Sequence, residues 1–297
     1  MNDQIGNALV NWIYNTPAWA STLVFMSVAF ALIVITLVPF RLIIRHDYRR
    51  RHHELFSFVV TNIAVLYAVL LAFIAVASWE RFSHATELAE AEANLAGNLY
   101  RDTDGFGTEP VAAALRTPLR DYVQIVIDKE WMEQKQGREP DQGWPALEGF
   151  QRTLVGVEPQ NLGQSVAMQE MLRTLNELYA ARRSRVDASL GHIPAVVWYV
   201  ILIVGAMTVG FTYLLGVESL WAHLIASGGL GLALVLVVAL IVQFDYPFRG
   251  SISVGPDAYE KVLANMHRLH PEVFGGQDAN HLHRAASLPM HDLGNYH

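Results

Sequence analysis

The sequence predicts an all-α membrane protein whose four transmembrane helices form two hairpins. Four long segments contain no Asp, Glu, Lys or Arg: Gln4–Phe40, Leu55–Trp79, Ala188–Val217 and Ser219–Phe244. A helix needs roughly 20 apolar residues to cross a hydrocarbon core about 30 Å thick, and each segment reaches that length. The polar block between the second and third segments has the composition of an ordinary soluble helical region. It therefore predicts an extramembrane helical domain between spans 2 and 3.

Composition supports the same class and excludes others. The chain of 297 residues is 52% hydrophobic and 16% charged, whereas charged residues make up about a quarter of a typical soluble protein. The net charge of −7 offers no basic footprint for nucleic acid. Because there are no cysteines, disulfides, thiolate metal sites and a cysteine nucleophile are excluded.

The pattern divides the chain into four parts. Residues 1–82 hold an interfacial segment and a hairpin with spans at about 20–40 and 56–79, because Trp12, Tyr14 and Trp19 suit the headgroup level before the first span. The helical extramembrane domain covers 83–190. A second hairpin covers 191–246, with spans at about 195–215 and 223–243. Residues 247–297 form a short amphipathic helix followed, from Gly275, by a disordered tail.

Two helices should extend far beyond the membrane. No Gly or Pro occurs between Leu55 and Ala96, and good helix formers dominate beyond Trp79. We expect one continuous helix from Glu54 to Tyr100, roughly 70 Å long at 1.5 Å per residue. A second long helix begins near Gln164 and stops before the third span. The domain is thus built on extensions of spans 2 and 3.

Charged residues on the two extensions suggest that an acidic group on one faces a basic group on the other. An acidic group on the first and a basic group on the second lie roughly 10–20 Å from the membrane surface. These groups are Glu87, Glu90, Glu92 and Arg182, Arg183, Arg185. We expect the two groups to face each other and to set register, because an exposed pair contributes only about 0–1 kcal/mol. The alternative is two independent solvated faces.

One face of span 2 has the pattern of a pore lining. Six residues fall within about 40° of each other at 100° per residue: Asn62, Leu66, Val69, Phe73, Val76 and Glu80. A ring of such helices would form a hydrophobic neck with an acidic mouth. Apolar constrictions gate by dewetting, and carboxylate rings favour cations. Alternatively, Asn62 bonds a neighbouring helix and Glu80 pairs with an arginine.

A compact motif ends the fourth span: Asp245, Pro247, Phe248, Arg249 and Gly250. We expect Asp245 and Arg249 to cap helix ends or to pair across the turn at Pro247. The alternative is that Arg249 attracts an anion.

Catalytic and metal-binding patterns are not found. The tail is rich in histidine, including His281 and His283, but it lacks ordered spacing and carboxylate support. There is no phosphate-binding glycine loop, nucleophile elbow or zinc-protease motif. The sequence therefore predicts no catalytic residue, no metal site and no cofactor.

The charge pattern does not decide on which side of the membrane the helical domain lies. The basic loop Arg41–Arg51 should be cytoplasmic by the positive-inside rule, which places the domain outside. However, Arg249, Lys261, Arg268 and Arg284 lie on the opposite side of the membrane from that loop.

Several segments together resemble a bacterial and plant membrane family described as bestrophin-like, whose function is unknown. The likeness covers about residues 20–265. It rests on Leu66–Leu70, Val76–Phe82, Asn176–Tyr179 with Arg182 and Arg185, Ile193–Trp198, and Asp245–Gly250. The resemblance implies a homo-oligomeric, pentameric channel for small ions whose second helix lines the pore. It also implies a cytoplasmic helical domain, which conflicts with the loop charges.

These observations predict a homo-oligomeric channel or channel-like pore in a bacterial inner membrane. Its expected partners are membrane lipid, further copies of itself and a permeating small ion, with no nucleic acid. The alternative is a non-conducting membrane sensor or scaffold whose extramembrane domain binds a partner. An enzyme is the class with least support.

Overall fold

A computed structural model describes residues 2–44, 46–106 and 109–277. All regular structure within these residues is helical, and they contain no β-strand. Four of the described helical segments are long and apolar enough to cross a membrane: Ala18–Ile43, His53–Phe106, Leu162–Thr212 and Leu220–Asp245. The predicted fold class, an all-α protein with four spans, is confirmed.

The helices are numbered in chain order. They are α1 (Asn2–Asn15), α2 (Ala18–Ile43), α3 (His46–Arg51), α4 (His53–Asp102), α5 (Glu109–Ile125), α6 (Trp131–Lys135), α7 (Trp144–Val155), α8 (Leu162–Leu190), α9 (Ala195–Thr212), α10 (Leu220–Asp245) and α11 (Asp257–Leu269). Short 3₁₀ helices cover Thr103–Phe106 and Pro271–Gln277, and a π-helical segment covers Val126–Glu130.

Helix α4 is the longest element. It runs for 50 residues without a break, which confirms the continuous helix predicted over Glu54–Tyr100. About 20 of these residues would suffice to cross a bilayer. Helix α8 has 29 residues and ends at Leu190, four residues before Pro194. A proline disfavours helical geometry in the residue before it, so α9 begins as a separate helix at Ala195.

The chain divides into two compact units. The first comprises Met1–His84 and Gly191–Ser253, and the second comprises Ala85–Leu190 and Val254–His297. In the first unit, one apolar core forms around Tyr67, Leu71, Ile193, Ile201 and Ile241. A second core in the same unit contains Ile33, Leu37 and Tyr213.

Glycines permit close helix packing in the first unit. A Cβ atom at Gly231 of α10 would lie 2.4 Å from the Ile33 side chain of α2. A Cβ atom at Gly205 of α9 would lie 2.7 Å from the Tyr67 hydroxyl, which donates to the Ile201 carbonyl at 2.8 Å. Small residues allow such contacts between helices in lipid, where apolar burial alone does not favour association.

The second unit is a helical domain with a dense apolar core. Its buried side chains include Leu115, Leu119, Val126, Leu147, Phe150 and Leu178. Helix α5 continues through Pro118 to Ile125 and is not interrupted at that proline. The departure from α-helical geometry lies instead at Val126–Glu130.

The tail expected to be disordered begins at Gly275. Its first residues belong to the 3₁₀ helix Pro271–Gln277. Everything beyond Gln277, including the histidine-rich stretch, lies outside the described residues.

Candidate functional site

The six predicted pore-lining residues all lie on exposed positions of α4. The four apolar ones are large and open: Leu66 is 71% exposed, Val69 49%, Phe73 72% and Val76 55%. Asn62 and Glu80 are exposed at the two ends of this face. We call these six residues the α4 face.

The opposite side of α4 packs into one of the two apolar cores of the first unit. Tyr67 and Leu71 are 2% exposed and join the core with α9 and α10. Ser78 is also buried, and its hydroxyl donates to the Ile74 carbonyl at 2.8 Å. The membrane-spanning part of α4 is therefore apolar on both sides, but the residues that the structure describes cover only one of them.

Asn62 satisfies one of its amide donors within its own helix. Its Nδ2 donates to the Phe58 carbonyl at 2.7 Å. Among the described residues, Asn62 does not form the bond to a neighbouring helix that the alternative interpretation expects. The α4 face is thus polar at its ends and apolar between them.

A buried charged cluster lies in the second unit. Arg182 and Arg185 are three residues apart on α8, so they project from one face of that helix. Arg182 binds Glu130 with two contacts, Nη1 to Oε2 at 2.9 Å and Nη2 to Oε1 at 2.5 Å. Arg185 binds Glu92 of α4 in the same two-pronged way, at 2.6 Å and 3.1 Å. All four side chains are fully buried.

Further contacts join these two pairs into one network. The Arg185 Nη2 also donates to Glu130 at 3.1 Å, and its Nη1 donates to the Gln134 Oε1 at 2.8 Å. The Tyr122 hydroxyl donates to Glu92. Two arginines and two glutamates balance in charge, which is what burial requires, since isolated buried ions are costly. We call these side chains the buried network.

Aromatic rings cover both guanidinium groups. The Arg182 group lies 4.7 Å from the centre of the Trp144 ring and 5.5 Å from that of Tyr122. The Arg185 group lies 5.5 Å from the centre of the Trp131 ring. Attraction between a cation and an aromatic ring strengthens when water is excluded, so the rings shield the network and favour the charged arginines.

The protonation of the network follows from its contacts. Burial raises the pKa of Glu130, but the hydrogen bond from Arg182 and the two nearby guanidinium charges outweigh burial and hold that pKa below its ordinary value. Burial, followed by the charge of Glu92, raises the pKa of the Tyr122 hydroxyl well above its usual range. Glu130 therefore stays ionised and Tyr122 stays a hydrogen-bond donor.

A loop glycine closes over this cluster. The backbone N–H of Gly143 donates to the Glu130 Oε1 at 2.6 Å. A Cβ atom at Gly143 would lie 2.8 Å from the Arg182 Nη1 and 2.9 Å from the Glu130 Oε1. Only a residue without a side chain lets the backbone approach the ion pair this closely.

The charged residues predicted on the two extensions fall into two sets. Glu92, Arg182 and Arg185 are buried together, whereas Glu87, Glu90 and Arg183 are exposed. The sequence predicts pairing between exposed side chains, which contributes little to stability. The structure instead places three of the six residues in a dry network, where removal of one partner leaves an uncompensated charge.

The motif at the end of the fourth span holds backbone and side chains together in the first unit. Asp245 is buried, and its Oδ1 accepts from the Ile193 N–H at 2.6 Å. The Arg249 Nη2 donates to the Asn11 Oδ1 of α1 at 2.7 Å. The Arg249 guanidinium also lies 5.3 Å from the centre of the Tyr14 ring. Asp245 and Arg249 thus each bind a different segment.

The remaining motif residues form the turn itself. Pro247 and Phe248 are buried directly after α10. Gly250 has a φ of +89°, which side chains disfavour, and a Cβ atom there would lie 3.1 Å from the Tyr14 ring. The motif is therefore an element that joins α10 to α1.

Sequence reasoning missed Glu130, Tyr122 and Gln134 as members of the buried network. Glu130 ends the π-helical segment, a geometry that no sequence pattern signals and that often occurs at functional sites. A usable signal did exist around Glu92. It interrupts a buried stripe of alanines, Ala85, Ala89, Ala93 and Ala96, and a charged residue on the small-residue face of a helix indicates a buried ion pair.

The chain matches a known protein family over most of its length. The family model for the Bestrophin-like domain matches residues 27–259. That range contains the α4 face, the buried network and the motif after α10. No curated protein sequence matches the chain.

Three solved structures share its fold. A bestrophin homologue from Klebsiella pneumoniae, crystallised as a point mutant, has a TM-score of 0.63 and 11% identity over 86% of this chain and 99% of its own. Another mutant of a bestrophin homologue from Klebsiella pneumoniae has a TM-score of 0.59 and 11% identity, over 83% and 98%. A structure of a membrane protein has a TM-score of 0.60 and 12% identity, over 86% and 98%. At these identities the likeness is one of fold.

Proposed function

This chain belongs to the bestrophin-like family, and we propose that it forms a homo-oligomeric ion channel in which copies of α4 surround the conduction path. The resemblance of sequence implies five copies. We place the assembly in a bacterial plasma membrane, because bestrophin homologues from a bacterium share its fold. The proposal concerns the α4 face in the first unit.

The observation that carries the proposal is the contrast between the two sides of α4. Tyr67 and Leu71 are buried against the same chain, whereas Leu66 and Phe73 are more than 70% exposed. An exposed apolar side of a span can face lipid, but lipid contact alone does not call for an amide at one end and a carboxylate at the other. Asn62 and Glu80 stand at those ends.

A symmetric ring of α4 helices gives this face a function. The apolar side chains would form a narrow neck that passes ions only when it is wetted, and Phe73 would contribute the largest of them. The Glu80 carboxylates would form a ring at one mouth of the neck. Carboxylate rings attract cations, so the proposed channel favours small cations over anions.

Reconstitution into liposomes tests conduction directly. Purified protein should release a potassium gradient, and Phe73→Ala should increase the flux because it widens the neck and makes it easier to wet. Phe30→Ala is the matched control, since Phe30 is 44% exposed on α2, a helix outside the proposed ring of α4 helices. Flux through that variant should match the unmodified protein when normalised to assembled protein.

Two results would overturn the proposal. The first is an electrically silent bilayer that contains correctly assembled protein. The second is an oligomer whose α4 helices lie at the periphery, away from any shared axis. Either result would favour the alternative function, a non-conducting sensor or scaffold.

A further inference from the structure

The short helix α3 contains a buried cation. Arg49 is 1% exposed, and its Nε and Nη1 atoms have no hydrogen-bond partner among the described residues. Buried polar groups are normally paired, and an unpaired buried charge is the costliest exception. Among the described residues, no carboxylate pairs with Arg49, so its buried charge is not neutralised by them.

The neighbouring Arg41 adds a second positive charge near Arg49. Burial, and then the charge of Arg41, lower the pKa of Arg49. Arg41 itself donates to the carbonyls of Glu218 and Ser219, at 2.8 Å and 3.2 Å. Its Nη1 also lies 3.4 Å from the His223 Nδ1. These contacts occupy Arg41 but bring no negative charge to Arg49.

The nearby carboxylate serves a different arginine. Glu218 lies 3.9 Å from Arg50, and both side chains are more than 70% exposed. The backbone of this loop is close-packed, because a Cβ atom at Gly216 would lie 2.9 Å from the Arg50 Cα. The backbone at Arg49 and Arg50 is thus closely packed, while the Glu218 carboxylate faces solvent and lies near Arg50.

We propose that Arg49 binds the phosphate group of an anionic phospholipid. The planar guanidinium presents donors in a fork that matches phosphate oxygens, and it tolerates partial burial better than an ammonium group does. Both Nε and Nη1 belong to that fork. Because these two atoms are shielded from solvent in the isolated chain, binding requires a change of rotamer at Arg49 or in the side chains that cover it.

The position of Arg49 favours a lipid over free phosphate. Helix α3 connects α2 to α4, so Arg49 lies between the ends of two candidate spans. Large apolar side chains flank it on both sides in the sequence: Leu42 is 82% exposed, Ile43 78% and Leu55 58%. A phosphate at Arg49 and acyl chains beside these residues would belong to one lipid molecule. Basic residues near the membrane surface attract anionic lipids.

Lipid titration of delipidated protein tests the site. Thermal unfolding in detergent should shift upward on addition of phosphatidylglycerol and much less on addition of phosphatidylcholine. A ligand that binds only the folded state stabilises it in proportion to the logarithm of one plus the ratio of free ligand concentration to Kd, so the shifts yield an apparent affinity. Inorganic phosphate at equal concentration is the third arm, and it should give no shift comparable to that of phosphatidylglycerol.

Variants distinguish a built site from general attraction. Arg49→Gln should weaken phosphatidylglycerol binding about tenfold or more, as expected for loss of a two-pronged contact. The matched control is Arg51→Gln, because Arg51 is exposed in the same helix and the charge change is identical. It should cost at most about fivefold, the effect of one surface charge. Arg49→Lys keeps the charge, and it should fall between the two.

Several outcomes would overturn this assignment. Equal losses in Arg49→Gln and Arg51→Gln would show diffuse attraction without a site. Equal stabilisation by inorganic phosphate would make free phosphate the ligand. Unchanged lipid affinity with a dissociated oligomer would assign Arg49 to a carboxylate of a second copy. If Arg49→Gln does not fold, Arg49→Lys still decides, since an affinity equal to that of the unmodified protein would contradict a phosphate-binding fork. None of these measurements depends on conduction.

Discussion

Arg185 binds Glu92 through two contacts, Nε to Oε2 at 2.6 Å and Nη2 to Oε1 at 3.1 Å, with both side chains fully buried. The two residues are separated by 93 positions in the chain. They connect α8 to α4 in the second unit. Because Arg185 also reaches Glu130, this contact is the centre of a network that is neutral only when all four charges are present.

Removal of one charge from the network should therefore be severe. We expect Arg185→Met to destabilise the protein by about 3–5 kcal/mol, since it leaves two buried carboxylates with one arginine. Thermal unfolding in detergent, followed by tryptophan fluorescence, measures the change. Arg183→Met is the control, because Arg183 is exposed on the same helix, and it should stay within about 0.5 kcal/mol. Equal effects of the two variants would mean that the network contributes nothing specific.

Two glycine-to-alanine substitutions should change the stability of the protein in opposite directions. Gly143→Ala places a methyl group 2.8 Å from the Arg182 Nη1, in a network whose side chains have little room to move. Overpacking of this kind costs about 1–3 kcal/mol. At Gly149, within α7, an added Cβ meets nothing within 4 Å, and replacement of glycine by alanine in a helix contributes about 1 kcal/mol of stability. Unfolding midpoints of the two variants should move in opposite directions; a shift in the same direction would contradict the close approach at Gly143.

Acid should weaken the second unit through Glu130. The pKa of Glu130 is lower in the folded protein than in the unfolded chain, so the unfolded state binds the proton first as pH falls. The stability that Glu130 contributes is complete above the ordinary glutamate pKa of about 4.3 and is lost as pH drops through the lowered value. Unfolding midpoints measured from pH 7 downward should record this loss.

A variant separates Glu130 from other acid-sensitive groups. Glu130→Gln should start from a lower midpoint at neutral pH but should show a shallower decline below about pH 4.3. Glu90→Gln, which alters an exposed glutamate of α4, should keep the full decline of the unmodified protein. An unchanged slope in Glu130→Gln would show that its ionisation is not linked to folding.

Ion preference tests the polar end of the α4 face. If the proposed channel forms, Glu80→Gln should lower the permeability of cations relative to anions, because it removes the carboxylate ring at one mouth of the neck. Reversal potentials in asymmetric potassium chloride measure the ratio. Glu218→Gln is the control, since Glu218 is exposed between spans 3 and 4. A ratio that changes equally in both variants would place Glu80 away from the ion path.

Local patterns in the sequence were sufficient for the spans and for α4. The length of an uncharged apolar segment decides whether a helix can cross a bilayer. That length can be counted directly along the sequence. The continuity of α4 beyond Trp79 is equally local, because only glycine, proline or a lost periodicity would end it. The α4 face could be listed from angular spacing alone, and the structure adds that this face is exposed.

The sequence did not predict which charged side chains are buried. Glu92, Arg182 and Arg185 were selected by their distance along two helices, but that distance does not distinguish a solvated face from a dry one. Glu130 joins them only because a π-helical segment turns its side chain inward. Arg49 has the same composition around it as Arg51, yet the first is buried and the second exposed.

The sequence by itself determined that this protein is helical, that it has four membrane spans, and that α4 continues far beyond the second span. Those properties depend on hydrophobicity and helix propensity, which act between residues close together in the chain. Only the tertiary structure decided which charges are paired in a dry core, which turn joins α10 to α1, and that two buried nitrogen atoms of Arg49 have no hydrogen-bond partner among the described residues. Those properties depend on contacts between residues that are distant in the sequence. The same side chain can be exposed to solvent, buried in an ion pair, or buried without a partner, according to what packs against it.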